Sequence, residues 1–467
     1  MVRYFVFAIL GTFLSSFLGA IPPALGETLP KVSKKKVTNI ARKEDVKEKN
    51  SNNPNSLTGT SHKIFPQQNL SKNNSLGNTP PQDIGIDNGK AKKTVPIDAR
   101  RLKDHKFTEA VRYIKEHPDT RFKLQNTTID PAFLLPLLTS LKEAQVLDKI
   151  KDIGFVMLNS ANGKVLDEGI FLQKILPFLE HLDGLELLCL GATDKIVKAI
   201  STKIPNLKSL SLFGPGITNE TAIHLTKECP NIIKIHLLNS QITSPGIQTL
   251  ANNFPKLEML GISGPNLKDS DFVTVGTGKP NLRSLSMVGH NFKDMATITT
   301  LLKMMPKLHT LDVSETNVTD AVAKSISEAK GLKSLNISET KITKEGVKEI
   351  VQNLDLTTFK INNLLSISDN ELEIIAKSQP GLKKFHFSGT SFSDSGLIDV
   401  IGDLKKLNDV TLIPISGSKW VLSEAIARAL VRKKTKIQYL HIQADRLPET
   451  LRMKLESSIP NIRIEYQ

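Results

Sequence analysis

From residue 207 onward the chain repeats one phrase: an apolar residue, two skipped, an apolar residue, one skipped, an apolar residue. Leu207-Leu210-Leu212 is followed by Ile232-Ile235-Leu237, Leu257-Leu260-Ile262, Leu282-Leu285-Met287, Leu308-Leu311-Val313, Leu332-Leu335-Ile337, Leu356-Phe359-Ile361 and Leu382-Phe385-Phe387, with most steps about 25 residues. Leu185-Leu188-Leu190 precedes the series; Leu407-Val410-Leu412 and Ile437-Leu440-Ile442 continue it; Ile462 and Ile464 open a last member. Alternation at the end of each phrase predicts a strand with one buried face.

A second signal follows each strand, as in Gly216-Ile217-Thr218, Gln241-Ile242-Thr243, Asn317-Val318-Thr319-Asp320, Lys341-Ile342-Thr343 and Ser391-Phe392-Ser393-Asp394. Its apolar residue reads as a plug into the core, and the Ser, Thr or Asp beside it as the cap of a helix. Helix-spaced apolar residues come next: Ala222 and Leu225, Ile247 and Leu250, Val347 and Ile350, Leu397 with Val400 and Ile401. Pro205, Pro230, Pro255, Pro280, Pro306 and Pro380 then stop the helix ahead of the next strand. One unit reads strand, turn, helix, turn. No unit of this length can bury enough to fold alone, so stability has to come from stacking.

The pattern resembles the leucine-rich-repeat superfamily, and within it the ribonuclease-inhibitor-like and cysteine-containing types, whose units run strand, Ile-Thr-Asp, helix, Cys-Pro. Glu228-Cys229-Pro230-Asn231-Ile232 and Thr319-Asp320 match best. The strand cysteine of the cysteine-containing type is replaced, for example by Thr316, Thr340 and Thr390. The resemblance implies an α/β leucine-rich-repeat solenoid, a curved horseshoe with parallel strands on the concave face and helices on the convex face.

Upstream, Phe122-Leu124 and Ile153 to Leu158 read as strands, with helices from Pro131 to Ala144 and from Asp167 to Leu182, making two longer first units. Phe107, Val111 and Ile114 predict a short amphipathic helix before His117-Pro118. The expected organisation is a signal peptide over 1–26, a basic low-complexity linker over 27–95, a helical cap over 96–120 and about 12 to 14 repeats over 121–467. The leader reading rests on Arg3, an apolar run from Tyr4 to Ala20, and Ala24-Leu25-Gly26 as a cleavage site. It predicts an extracytoplasmic protein: periplasmic, on the cell surface, or extracellular. The linker carries Lys34-Lys35-Lys36 and Ser51-Asn52-Asn53-Pro54-Asn55 with few apolar residues, and is expected to be disordered.

In such a stack the residues between the strand leucines point away from the core. The candidate partner-binding face is therefore Ser209, Ser211, Phe213, Lys234, His236, Met259, Ser284, Ser286, Thr310, Asp312, Ser334, Asn336, Thr358, Lys360, Lys384, His386, Tyr439 and His441. It is polar, small and mildly basic, and suits a protein partner.

Composition changes this picture in two places. The formal charge of +15 suggests phosphate binding, but roughly half the excess lies between Glu27 and Arg100. Nucleic acid is accordingly not the expected partner, whereas residues 31–49 could make a weak anionic-surface contact. The 2 cysteines, Cys189 and Cys229, lie at different phases of neighbouring units and are expected to be free thiols.

Catalytic patterns fail individually. Gly276-Thr277-Gly278-Lys279 runs into Pro280 and lacks the leading glycine of a phosphate loop. There is no His-Glu-x-x-His and no Gly-x-Ser-x-Gly. His236, His386 and His441 share a phase but sit on separate units, which does not suit a metal. The expectation is a scaffold with no cofactor, metal or catalytic residues, binding protein on its concave face. A polysaccharide- or envelope-attached surface protein using its basic tail is the alternative. A host-directed effector or ubiquitin-ligase adaptor is a third, although 97–118 is too short for an F-box.

Overall fold

The computed structural model describes residues 94–466 apart from 99–106, 118–120, 128–130, 157–166, 189–190, 280, 365–366, 388–391, 413–422, 433–436, 445–446 and 460. The leader and all of the linker before residue 94 lie outside the described residues, as do Cys189 and Thr390.

Among the described residues, fifteen strands form one sheet in strict chain order. They are β1 Thr94–Asp98, β2 Arg121–Thr127, β3 Ile150–Val156, β4 Gly184–Leu188, β5 Ser209–Phe213, β6 Lys234–Leu238, β7 Met259–Ile262, β8 Ser284–Ser286, β9 Thr310–Asp312, β10 Ser334–Asn336, β11 Thr358–Ile361, β12 Lys384–Phe387, β13 Asp409–Leu412, β14 Tyr439–Ala444 and β15 Asn461–Tyr466. Every described pairing is parallel, from Thr94↔Arg121 to Ala444↔Tyr466. Parallel neighbours need a crossover, and a helix supplies it in most units.

The leucine phrase sets the register. Leu210, Ile235, Leu260, Leu285, Leu311, Leu335, Phe359, Phe385, Val410 and Leu440 pair in succession. None is more than 1% exposed. Helix residues Ala222, Leu225, Ile247, Leu250, Val347, Ile350, Leu397 and Val400 join them in one continuous core, as do the plugs Ile217, Ile242, Val318 and Ile342. Helices end at Lys203, Glu228, Asn253, Met304 and Ser378, in each case two residues before Pro205, Pro230, Pro255, Pro306 or Pro380.

The capping residues divide their work between units. Thr193, Thr218 and Thr343 accept a backbone N–H of their own helix, from Ile196, Glu220 and Glu345. The acid or amide that follows reaches the next unit instead. Asp194 accepts from the Thr218 backbone at 3.0 Å and Asn219 from the Thr243 backbone at 2.9 Å. Asp320 does the same for Thr343 and Asp369 for Ser393, each at 2.8 Å. Of the residues read as caps, Thr218, Thr319 and Thr343 cap their own helices, while Asp320 closes the turn of its neighbour.

Three further readings change. Leu185 pairs with Leu210 and Leu187 with Leu212, so the phrase in this unit is Leu182-Leu185-Leu187 and not Leu185-Leu188-Leu190. Among the described residues β1 is the first strand of the sheet, so the helix Phe107–Glu116 lies between two paired strands and is not a purely helical cap. The stretch expected as one helix from Asp167 is broken into an α turn Glu168–Ile170, a π turn Phe171–Ile175 and a 3-10 turn Leu176–Phe178 around Pro177. The threonines in place of the strand cysteine pin the turn after the strand: Thr316 Oγ1 donates to Val313 O at 2.6 Å and Thr340 Oγ1 to Ile337 O at 2.7 Å. Among the described residues no helix is long and apolar enough to cross a membrane.

Candidate binding face

Alternation along each strand turns one set of side chains into the core and the next set to the outer face, away from the helices. Two rows result. One contains Ser209, Lys234, Met259, Ser284, Thr310, Ser334, Thr358, Lys384, Asp409 and Tyr439; the other contains Ser211, His236, Gly261, Ser286, Asp312, Asn336, Lys360, His386, Thr411 and His441. Seventeen of the eighteen expected residues fall in these rows. Phe213 begins a third, opposite Leu238.

The rows lie flush with the sheet. Ser211 is 1% exposed, Ser286 2%, His236 4%, Asp312 4% and His386 1%. Ser284, Thr358, Asn336, His441 and Phe213 are buried too, while Ser209, Lys234, Met259, Thr310, Ser334, Lys360, Lys384 and Tyr439 are half-buried. Pointing away from the core therefore does not by itself leave these side chains exposed. Parallel strands stand about 4.8 Å apart, so each short side chain is walled in by the residues on either side.

Glycines show the same crowding. The His236 ring lies across Gly261, where a Cβ would overlap it, and a Cβ on Gly154 would sit 3.0 Å from Glu186 Oε2. His236 Nδ1 is 3.2 Å from Ser211 Oγ. Burial, with the charge of Lys234 adding to it, drives the His236 pKa well below the usual histidine value, so the ring is neutral.

Charge on this face is arranged in pairs and clusters. Near the start, Lys123 Nζ meets Glu186 Oε1 at 3.0 Å across β2 and β4. From β9 to β13 lies a denser group. Asp312 accepts from Ser314 Oγ at 2.6 Å, the Ser314 backbone at 3.0 Å and Asn336 Nδ2 at 2.9 Å. Burial still pushes its pKa up, against those hydrogen bonds and the attraction of Lys360. Lys360 is pushed down to about 8 by burial, although Asp312 and Asp409 pull the other way. His386 Nε2 lies 3.3 Å from Asp409 Oδ1, and Lys384 Nζ lies 3.5 Å from Asp409 Oδ2. Burial lowers the His386 pKa despite Asp409. Burial alone would raise Asp409, but the His386 hydrogen bond and the neighbouring cations hold it below the usual range.

Sequence reasoning missed Glu186, Gly261, Asp409 and Thr411. Glu186 was hidden by the mistaken phase of its strand. Asp409 and Thr411 flank Val410 of a recognised phrase and could have been found by the same alternation rule. Among the described residues no group of three or more His, Cys, Asp and Glu could hold a metal ion.

Residues 332–351 match the family model described as a leucine-rich repeat. No curated protein matches the chain. Among solved structures the chain is similar to a chain of the yeast Rad7 and Elc1 complex, at 14% identity and TM-score 0.37, covering 64% of this chain and 91% of that one. It is also similar to an internalin from Listeria monocytogenes, at 15% identity and TM-score 0.34, covering 74% of this chain and 97% of that one. The matched segment holds strand β10, the plug Ile342, the cap Thr343 and most of the following helix. The chain is built as a leucine-rich-repeat solenoid, with the unit at 332–351 matching the repeat model and its neighbours sharing the same strand, plug and helix.

Proposed function

We propose that this protein is an interaction scaffold that acts outside the cytoplasm, docks a protein partner on the outer face of its sheet, and works by binding without catalysis. The observation that carries this reading is the continuous outer face, whose side chains form a level polar floor with charge concentrated over β9 to β13. A level floor lets a partner make contact over many strands at once, and small side chains keep its approach close. The leader reading of 1–26 supports export, and the basic stretch 27–93, which holds roughly half of the excess positive charge, supports a tether to an anionic surface.

The test is a combined Lys234→Glu, Lys360→Glu and Lys384→Glu variant, compared with the native chain by crosslinking in the exported fraction. Loss of specific crosslinks is expected; retention of all of them would overturn the docking face. Sequencing the N-terminus of the exported protein checks the leader. Deleting 27–93, which stops short of β1, is expected to release the protein from the surface and to leave partner crosslinks intact.

A further inference from the structure

Three polar residues lie on neighbouring positions of β11, its end and β12, and two of them carry a side-chain atom with no hydrogen-bond partner among the described residues. His386 is 1% exposed and its Nδ1 atom is buried without a hydrogen bond. Asn362 is 8% exposed and its Oδ1 atom is in the same condition. The Lys360 ammonium makes no hydrogen bond or close ion pair with a described residue and feels Asp312 and Asp409 only as more distant charges. Lys360 and His386 are register partners on β11 and β12, and Asn362 follows Lys360 by two residues, just past the end of β11. Lys360 stands about 5 Å from His386 and about 7 Å from Asn362 along the backbone, and the diagonal from His386 to Asn362 is about 8 Å.

Their hydrogen-bonding character is specific. The Nε2 atom of His386 faces the Asp409 carboxylate, which accepts only, so Nε2 carries the proton and Nδ1 presents a lone pair. Asn362 Oδ1 is an acceptor and the Lys360 ammonium is a donor. The unmet demand is for two donors and one acceptor. Leaving the two buried acceptors unmatched is unfavourable, so a ligand group that satisfies them is favoured.

We propose that Lys360, Asn362 and His386 form an anchor for a primary carboxamide, the side chain of an Asn or Gln on a protein partner. Its two N–H donors go to His386 Nδ1 and Asn362 Oδ1, and its carbonyl oxygen accepts from Lys360. A main-chain amide has one N–H and leaves one acceptor unmet. A carboxylate suits Lys360 but meets the two acceptors with more lone pairs, and a guanidinium is repelled by Lys360. The proposal rests on the reading of the outer face as the docking surface, and it names the group that face selects.

The test uses the full chain with isotope-labelled histidine and three small probes: acetamide, N-methylacetamide and acetate. Acetamide is expected to shift the His386 ring resonance saturably, with an affinity about three- to tenfold above that of the other two, the factor one hydrogen bond supplies. Lys360→Met should weaken acetamide by a similar factor while the His236 resonance, reporting an intact sheet, stays in place. No saturable shift, or equal responses to acetamide and acetate, would overturn the anchor. If acetamide fails while Lys234→Glu with Lys384→Glu still abolishes partner crosslinks, the anchor falls and the docking face stands; if both fail, both fall.

Discussion

Asp320 accepts from the Thr343 backbone N–H at 2.8 Å through Oδ1 and from the Thr343 hydroxyl at 2.6 Å through Oδ2. It stands at the helix start of one unit and completes the turn of the next. Asp194, Asn219 and Asp369 make equivalent links. These bonds join successive units at the turns that precede their helices.

Removing this link by Asp320→Ala should lower stability by about 1.5 to 3 kcal/mol, the usual range for hydrogen bonds to a charged acceptor. Chemical denaturation of the native and variant chains measures it. A change within error would mean that Thr343 finds water as readily as Asp320.

Gly346 lies where Asp320 Oδ1 comes closest, and a Cβ there would overlap that oxygen. Gly→Ala inside a helix ordinarily stabilises by about 0.5 to 1 kcal/mol. Here Gly346→Ala should destabilise, and the double variant with Asp320→Ala should recover part of the loss. A double-mutant cycle reads the coupling; a stabilising Gly346→Ala would contradict the packing described.

Phe385 stacks between Phe359 at 6.3 Å and Phe387 at 4.3 Å and is fully buried. Phe385→Ala should cost about 3 to 5 kcal/mol. Because units stabilise one another, hydrogen exchange should show the loss centred on β11 to β13 and fading toward β5.

His236 and His386 are both buried with lowered pKa values. Between those folded values and the unfolded value near 6.5, the unfolded chain binds protons that the folded chain does not. Stability therefore rises with pH through this window and is lost as pH falls, by at most about 1.4 kcal/mol per pH unit for each ring. Denaturation midpoints from pH 5 to 7 should follow this slope, and His236→Gln should flatten it. An unchanged slope would mean that the ring protonates without penalty.

Cys229 is buried, with Sγ 3.5 Å from Ile204 O and 3.7 Å from Ser201 O. Burial, with Glu228 adding to it, pushes its thiol up to about 12. Iodoacetamide at neutral pH should label it only as fast as the unit opens, and at once in denaturant. Rapid labelling of the folded chain would contradict this burial. Gln379 stands at the corresponding helix end and donates to Leu354 O at 2.8 Å, so a side-chain donor recurs there without the cysteine.

Periodicity alone determined the strand-and-helix unit, the identity of the core residues and the face on which Lys234, Lys360 and His386 lie, because alternation and helical spacing are local properties of a few consecutive residues. The phase at Leu185 was not legible: Leu182, Leu185, Leu187, Leu188 and Leu190 fit two frames, and only pairing with Leu210 selects one. Equally hidden were the depth of Ser211 and His386, the partner of Asp320 and the unmet acceptors beside Lys360. Each depends on side chains from another unit, distant in sequence and brought within one strand spacing by the stacking of the sheet.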